Sequence, residues 1–181
     1  MRPLFTVHAG EFLVGQYIEG AFKDKNVWVP TRDTGIDLLV SNSLNTKTAT
    51  LQVKFSRDFL PTMKMEPSAQ KQLRSCTWFS LPRDKIARSS ADYWVLVLVG
   101  FEKRSYDYLI ITPQDLLKRL EAIHGSSKRY QMYVWVTKTN RAWLTRGVSK
   151  ADQGRIASNT FVDKDRELTA YLNDWTAIRD L

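Results

Sequence analysis

Between His8 and Phe22 the apolar positions Val14, Ile18, Ala21 and Phe22 fall on one arc at a 3.6-residue period, which predicts a helix. The pattern then changes to period two. Val27 to Pro30 reads as a short extended segment and Thr31 to Gly35 as a loop. Ile36, Leu38 and Val40 mark one face of a predicted strand, and Leu51, Val53 and Phe55 mark one face of a second strand over Thr48 to Ser56. The polar stretch Ser41 to Lys47 joins them as a hairpin. Arg57 to Pro67 has two prolines and no period, so it reads as a loop, with a short helix over Ser68 to Arg74. Cys76 to Leu81 is extended, and Pro82 opens a helix reaching Ser90. Tyr93 to Phe101 is apolar on both alternating faces, as a strand covered on both sides would be. Tyr106 to Ile111 is a further strand, after which Thr112 and Asp115 form the N-cap and N3 of a helix. Strands follow at Tyr130 to Thr137 and Arg141 to Thr145, and a terminal helix is expected over Asp163 to Ile178. The order predicts a mixed α/β fold.

Composition narrows the classes. A chain of 181 residues that is 43% hydrophobic fits one domain, residues 1–181, and is too apolar for a disordered chain. Lys and Arg number 27 against 19 acidic residues, so the net charge of +8 favours an anionic partner. Cys76 is the lone cysteine, which excludes an intrachain disulfide and suits a reducing cytoplasm. One Cys with His8 and His124 cannot make a zinc finger. The longest nearly apolar run, Tyr93 to Phe101, is far short of the ~20 residues of a membrane helix, and no signal-like apolar region opens the chain. No membrane partner is expected. Gly10, Gly15 and Gly20 lack the lysine of a phosphate loop, and no small-molecule cofactor is expected.

Three polar placements stand out against this pattern. Glu11 falls between Ile18 and Phe22 on the helical wheel, inside the apolar arc, where it either caps the helix start or serves a site. Asp37 interrupts an apolar strand on the face opposite Ile36, Leu38 and Val40. Gln52 and Lys54 share the face opposite Leu51, Val53 and Phe55. The hairpin brings Asp37 level with Gln52 and Lys54, and the first helix can cover that face with Glu11. Two carboxylates, an amide oxygen and an ammonium then converge in a partly dry cleft. Such oxygens suit Mg²⁺ or Mn²⁺. A neighbouring Lys can orient water or stabilise a pentavalent phosphate, which implies a phosphodiester substrate.

Glu in the first helix, then Gly35-Ile36-Asp37, then Leu51-Gln52-Val53-Lys54, resembles the PD-(D/E)XK nuclease superfamily, in a layout similar to Holliday-junction-resolvase-like and small restriction-related nucleases. The resemblance covers about residues 8–57 by motif and about 8–123 by element order, leaving about 126–181 as a C-terminal strand and helix elaboration. It implies a restriction-endonuclease-like α/β fold, a mixed central sheet flanked by helices. It also implies a metal-dependent DNA endonuclease with Asp37, Gln52, the Val53 carbonyl and Glu11 as metal ligands and Lys54 as the catalytic lysine. A homodimer follows from the same resemblance and the symmetry of duplex DNA. The sequence departs from the family pattern at Ile36, in the position of a Pro that many members lack, and at Gln52, in the acidic position. Mrr-like restriction enzymes also use Q-x-K. Gln52 removes one negative charge, so metal binds more weakly or Glu11 takes a larger share. It also keeps open a catalytically inactive nucleic-acid-binding module of the same fold. A protein-interaction domain is the third reading.

Basic residues supply the DNA-binding candidates. No acid occurs from Ala122 to Ala151, where Lys138 and Arg141 stand among other cations, or from Leu38 to Arg57, which holds Lys47 and Arg57. Arg32, Lys71 and Arg74 complete the set. Tyr133 and Trp135 share a strand face that fits a two-sided core better than a base-stacking platform.

Overall fold

The computed structural model describes residues 8–31, 35–56, 65–102 and 105–181. The helix expected at the start is α1, Ala9–Ala21, which buries Gly10, Glu11, Val14 and Ile18. Strands β1 (Lys25–Trp28), β2 (Leu38–Asn42) and β3 (Thr48–Ser56) follow as an antiparallel meander. Helix α2 (Pro67–Gln72), strand β4 (Leu73–Pro82) and helix α3 (Arg83–Ala87) then carry the chain to β5 (Tyr93–Val99). Strand β5 lies parallel to β3 and antiparallel to β6 (Tyr106–Ile111). The five strands make one mixed sheet in the order β1-β2-β3-β5-β6. Helix α4 (Pro113–His124) leads to β7 (Arg129–Thr137) and β8 (Ala142–Leu144). These pair with β4 in a second, antiparallel sheet, β4-β7-β8. The molecule is thus mixed α/β, with a mixed central sheet flanked by helices.

The apolar pattern of β5 explains the layering. Trp94, Leu96 and Leu98 point into a core shared with Phe79 and Leu81 of β4, Met132 and Val134 of β7, and Leu116 and Leu120 of α4. Val95 and Val97 point the other way, to Val14 and Ile18 of α1. Of the segment after 126, β7 and β8 share the first of these cores with β5, and Trp175 and Ile178 pack into the second with Leu38, Val40, Leu51 and Val53 of the motif-bearing strands. The other side of the second sheet is closed by Ala69 of α2 and Ile156, with Cys76, Trp135 and Trp143 between. Trp135 is core, as its alternation suggests. Among the described residues, no helix is long and apolar enough to cross a membrane.

Three local expectations change. The strand begins at Leu38 rather than Ile36. The chain is no longer in regular strand at Asp37, so alternation does not reach Ile36, which packs on the opposite core from Leu38 and Val40. The helix expected over 163–178 is instead a strap holding a 3₁₀ turn, Thr169–Tyr171, and a four-residue helix α6, Thr176–Arg179. Its backbone is drawn onto β8: Leu144 donates to the Arg166 carbonyl and Leu168 to the Ala142 carbonyl. Asn173, at a φ of 54°, donates its backbone N–H to Tyr108 and accepts Tyr108's through its side chain. A helix α5, Lys150–Ala157, stands where none was expected. Ser149 caps it by accepting from the Asp152 N–H at 3.1 Å, a signal the sequence carries but which its weakly apolar composition masks. His124 ends α4, and burial, then Arg166 and Arg146, push its imidazole down from the usual range. It meets the helix end neutral at pH 7, not as a cationic cap.

Candidate active site

Strand pairing of Leu38 with Leu51 sets Asp37 opposite Gln52 at the end of the β2–β3 ladder. The Asp37 N–H donates to the Leu51 carbonyl at 2.8 Å, and its Oδ2 accepts from the Val53 N–H at 2.7 Å. The carboxylate is thereby fixed against β3. Gln52 has one amide orientation that satisfies both ends: Nε2 donates to the Gly35 carbonyl at 3.0 Å and Oε1 accepts from Lys54 Nζ at 3.0 Å. The end of the amide facing Lys54 lies 3.4 Å from Asp37 Oδ2. Lys54 Nζ also donates to the Val53 carbonyl at 3.0 Å and stands 3.9 Å from Asp37 Oδ2. Its charge lies 5.4 Å from the centroid of the buried Trp94 ring. The ammonium therefore neutralises a small oxygen cage made by Asp37, Gln52 and Val53. Asp37 and Lys54 keep 15% and 30% of their side-chain surfaces exposed, enough for a substrate to reach them.

Glu11, on α1, lines the same cleft as Asp37, Gln52, Val53 and Lys54. It is 9% exposed and its Oε2 accepts from the His8 backbone N–H at 3.0 Å, so the capping role and the cleft position coexist in one side chain. Gly10 lets the helix come this close: a Cβ there would fall 2.6 Å from the Phe55 Cβ on β3. The cleft has a volume of about 1220 Å³ and is open to solvent.

The donor set fits a hard divalent cation. Among the described residues, no three His, Cys, Asp or Glu side chains cluster as a metal site. Here two carboxylates, one amide oxygen and one peptide carbonyl share a single cleft, all of the oxygen type that Mg²⁺ and Mn²⁺ prefer. Two oxygens held 3.4 Å apart can serve one ion from adjacent positions.

The sequence-predicted DNA contacts are not gathered here. Arg32 and Arg57 lie outside the described residues. Arg74 grips Asp107 through Nε at 2.9 Å and Nη2 at 2.6 Å, and also bonds Asn140. Arg141 pairs with Glu167 at 2.8 Å and stacks over Trp143. Lys47 reaches the Asp180 carbonyl at 3.3 Å, Lys138 lines a separate pocket with Arg74, and Lys71 is exposed on α2. Besides Lys54, the cations that line the cleft are Arg129, which belongs to the acid-free run from Ala122 to Ala151, and Lys85 and Arg88, which the charge runs do not single out. Charge-run counting favours acid-free stretches, whereas Lys85 and Arg88 follow Asp84 and are brought in by the α3 fold. Cys76 is no nucleophile for this site: burial pushes its thiol up to about 12, against a smaller opposing effect of a bond with Trp135.

No family model, curated protein or solved structure matches the chain, so the chemistry of the cleft rests on its own residues.

Proposed function

We propose that the protein is a metal-dependent DNA endonuclease that hydrolyses phosphodiester bonds by attack of activated water. The observation that carries the reading is the convergence of Asp37 Oδ2, the Gln52 amide and Lys54 Nζ within 3.0–3.9 Å of one another, in a cleft that also receives Glu11. Asp37, Gln52, the Val53 carbonyl and Glu11 would hold Mg²⁺ or Mn²⁺. The two carboxylates match the charge of one divalent ion. When bound, the cation supplies Lewis-acid polarisation of the phosphoryl oxygen. Lys54 orients the attacking water and stabilises charge building on the phosphate. The Val53 N–H keeps Asp37 in place, and the Trp94 ring supports Lys54 beside it.

A second reading is favoured by one feature. Lys54 donates to both Gln52 and Val53, so its ammonium occupies the oxygen cage as an internal counter-ion. In a catalytically inactive nucleic-acid-binding module that arrangement is permanent. In an enzyme the ammonium yields those oxygens when metal enters. Gln52→Glu separates the two. In the nuclease it adds a carboxylate to the ligand set, and Mn²⁺ binding measured by calorimetry without DNA is expected to tighten by roughly tenfold or more, about one charge-assisted bond. The Mn²⁺ concentration for half-maximal cleavage falls with it. Unchanged Mn²⁺ affinity in a folded Gln52→Glu protein contradicts a ligand role for this position.

A further inference from the structure

We propose that Lys85 and Arg88 of α3, together with Arg129 at the start of β7, form a phosphate-binding wall that holds the DNA backbone beside the bond presented to Asp37 and Lys54. The proposal rests on the nuclease reading above. All three cations line the cleft that contains Glu11, Asp37, Gln52 and Lys54, and all three are exposed.

The wall is fastened to the site by named bonds. Ser89, just beyond α3, accepts the Trp94 indole N–H at 2.9 Å, and Trp94 carries Lys54 over its ring. Arg129 is held next to α3 by the pairing of Pro82 with Arg129 and by the Arg83 N–H donating to the Lys128 carbonyl at 3.0 Å. Thus α3 and the start of β7 cannot drift independently of the catalytic lysine.

The chemistry favours a polyanion along this wall. A strand carries one phosphate per 3.4 Å of helix axis, so a backbone engaged at Lys54 brings further phosphates along the cleft. Glu11, Asp37 and Asp84 repel them, and Lys54 and the three cations of the wall attract them. Their present partners are easily exchanged. Arg88 holds Asp84 at 2.8 Å in an exposed i,i+4 pair of the weak kind, and Arg129 Nη1 donates to the Ser80 hydroxyl at 3.3 Å. Arg74, by contrast, is held from two nitrogens by the largely buried Asp107.

The test is a salt titration of DNA binding by fluorescence anisotropy. It uses the Asp37→Asn chain in EDTA with labelled duplex and four-way-junction DNA, so that cleavage plays no part. A wall variant carries Lys85→Ala, Arg88→Ala and Arg129→Ala. A control carries Lys118→Ala, Lys164→Ala and Arg179→Ala, three exposed cations outside the cleft, and removes the same charge elsewhere. The slope of log affinity against log salt should become shallower by about 0.9 for each phosphate that the wall variant no longer neutralises, and should stay near the parent's in the control. In the cleavage-competent chain the wall variant raises KM more than it lowers kcat. Equal slopes in wall variant and parent, or an equal change in the control, overturn the wall. If that happens while the wild type still cuts DNA, the nuclease reading survives alone. A wall-dependent slope in a protein that never cuts supports the wall and removes the nuclease. No DNA binding at low salt overturns both.

Discussion

Asp37→Asn is expected to lower metal-dependent cleavage by about 10³-fold or more, on the scale of several kcal/mol of forfeited metal assistance at about 1.4 kcal/mol per tenfold. The substitution keeps size and shape but removes one of two carboxylates in the cleft. It also weakens the acceptor for the Val53 N–H, which now binds Oδ2 at 2.7 Å. Mn²⁺ binding should fall with activity. Lys54→Ala divides the two functions. It removes the ammonium from the Gln52 and Val53 oxygens, so Mn²⁺ affinity is held or rises, while cleavage falls by roughly 10²–10³-fold. Single-turnover cleavage and metal calorimetry on both variants check this, with circular dichroism to confirm the fold. Full activity in Asp37→Asn contradicts the site.

Leu96→Ala is expected to destabilise the protein by about 2–5 kcal/mol, through forfeited transfer energy and the cavity left behind. Leu96 is fully buried at the centre of β5, registered between Lys54 of β3 and Leu109 of β6, and faces the second sheet. Domains of this size have about 5–15 kcal/mol in total, so the drop is a large share of the stability. At roughly 2–4 °C per kcal/mol the melting temperature should fall by about 4–20 °C. Leu44→Ala is the control: Leu44 is 78% exposed in the β2–β3 turn and should change stability by no more than about 0.5 kcal/mol. Calorimetric melting that shows equal effects for the two contradicts the assignment of the shared core.

The strands of the site were legible because their signals are local. Period two placed β3 over Thr48–Ser56, and a tight polar turn fixed its pairing with β2. That register alone puts Asp37 opposite Gln52. Glu11 was legible from its place on the helical arc. What escaped the sequence depends on partners far along the chain. The joining of β4 to β7 in a second sheet follows from pairings more than 40 residues apart, such as Trp78 with Tyr133. The C-terminal strap has helical spacing, yet β8 and Tyr108 claim its backbone groups. Lys85 and Arg88 escaped for the same reason: Arg129 lies in an acid-free run, but its place in one cleft with Lys85, 44 positions away, depends on the β4–β7 ladder.

Cleavage of labelled duplex, four-way-junction, flap and single-stranded DNA in Mg²⁺, Mn²⁺ or EDTA, beside Lys54→Ala purified identically, decides whether the protein is a nuclease. The expected result is cutting that needs the metal and falls by about 10²-fold or more in Lys54→Ala, with the preferred DNA naming the role. Binding without cutting in either metal, or undiminished cutting in Lys54→Ala, contradicts the assignment.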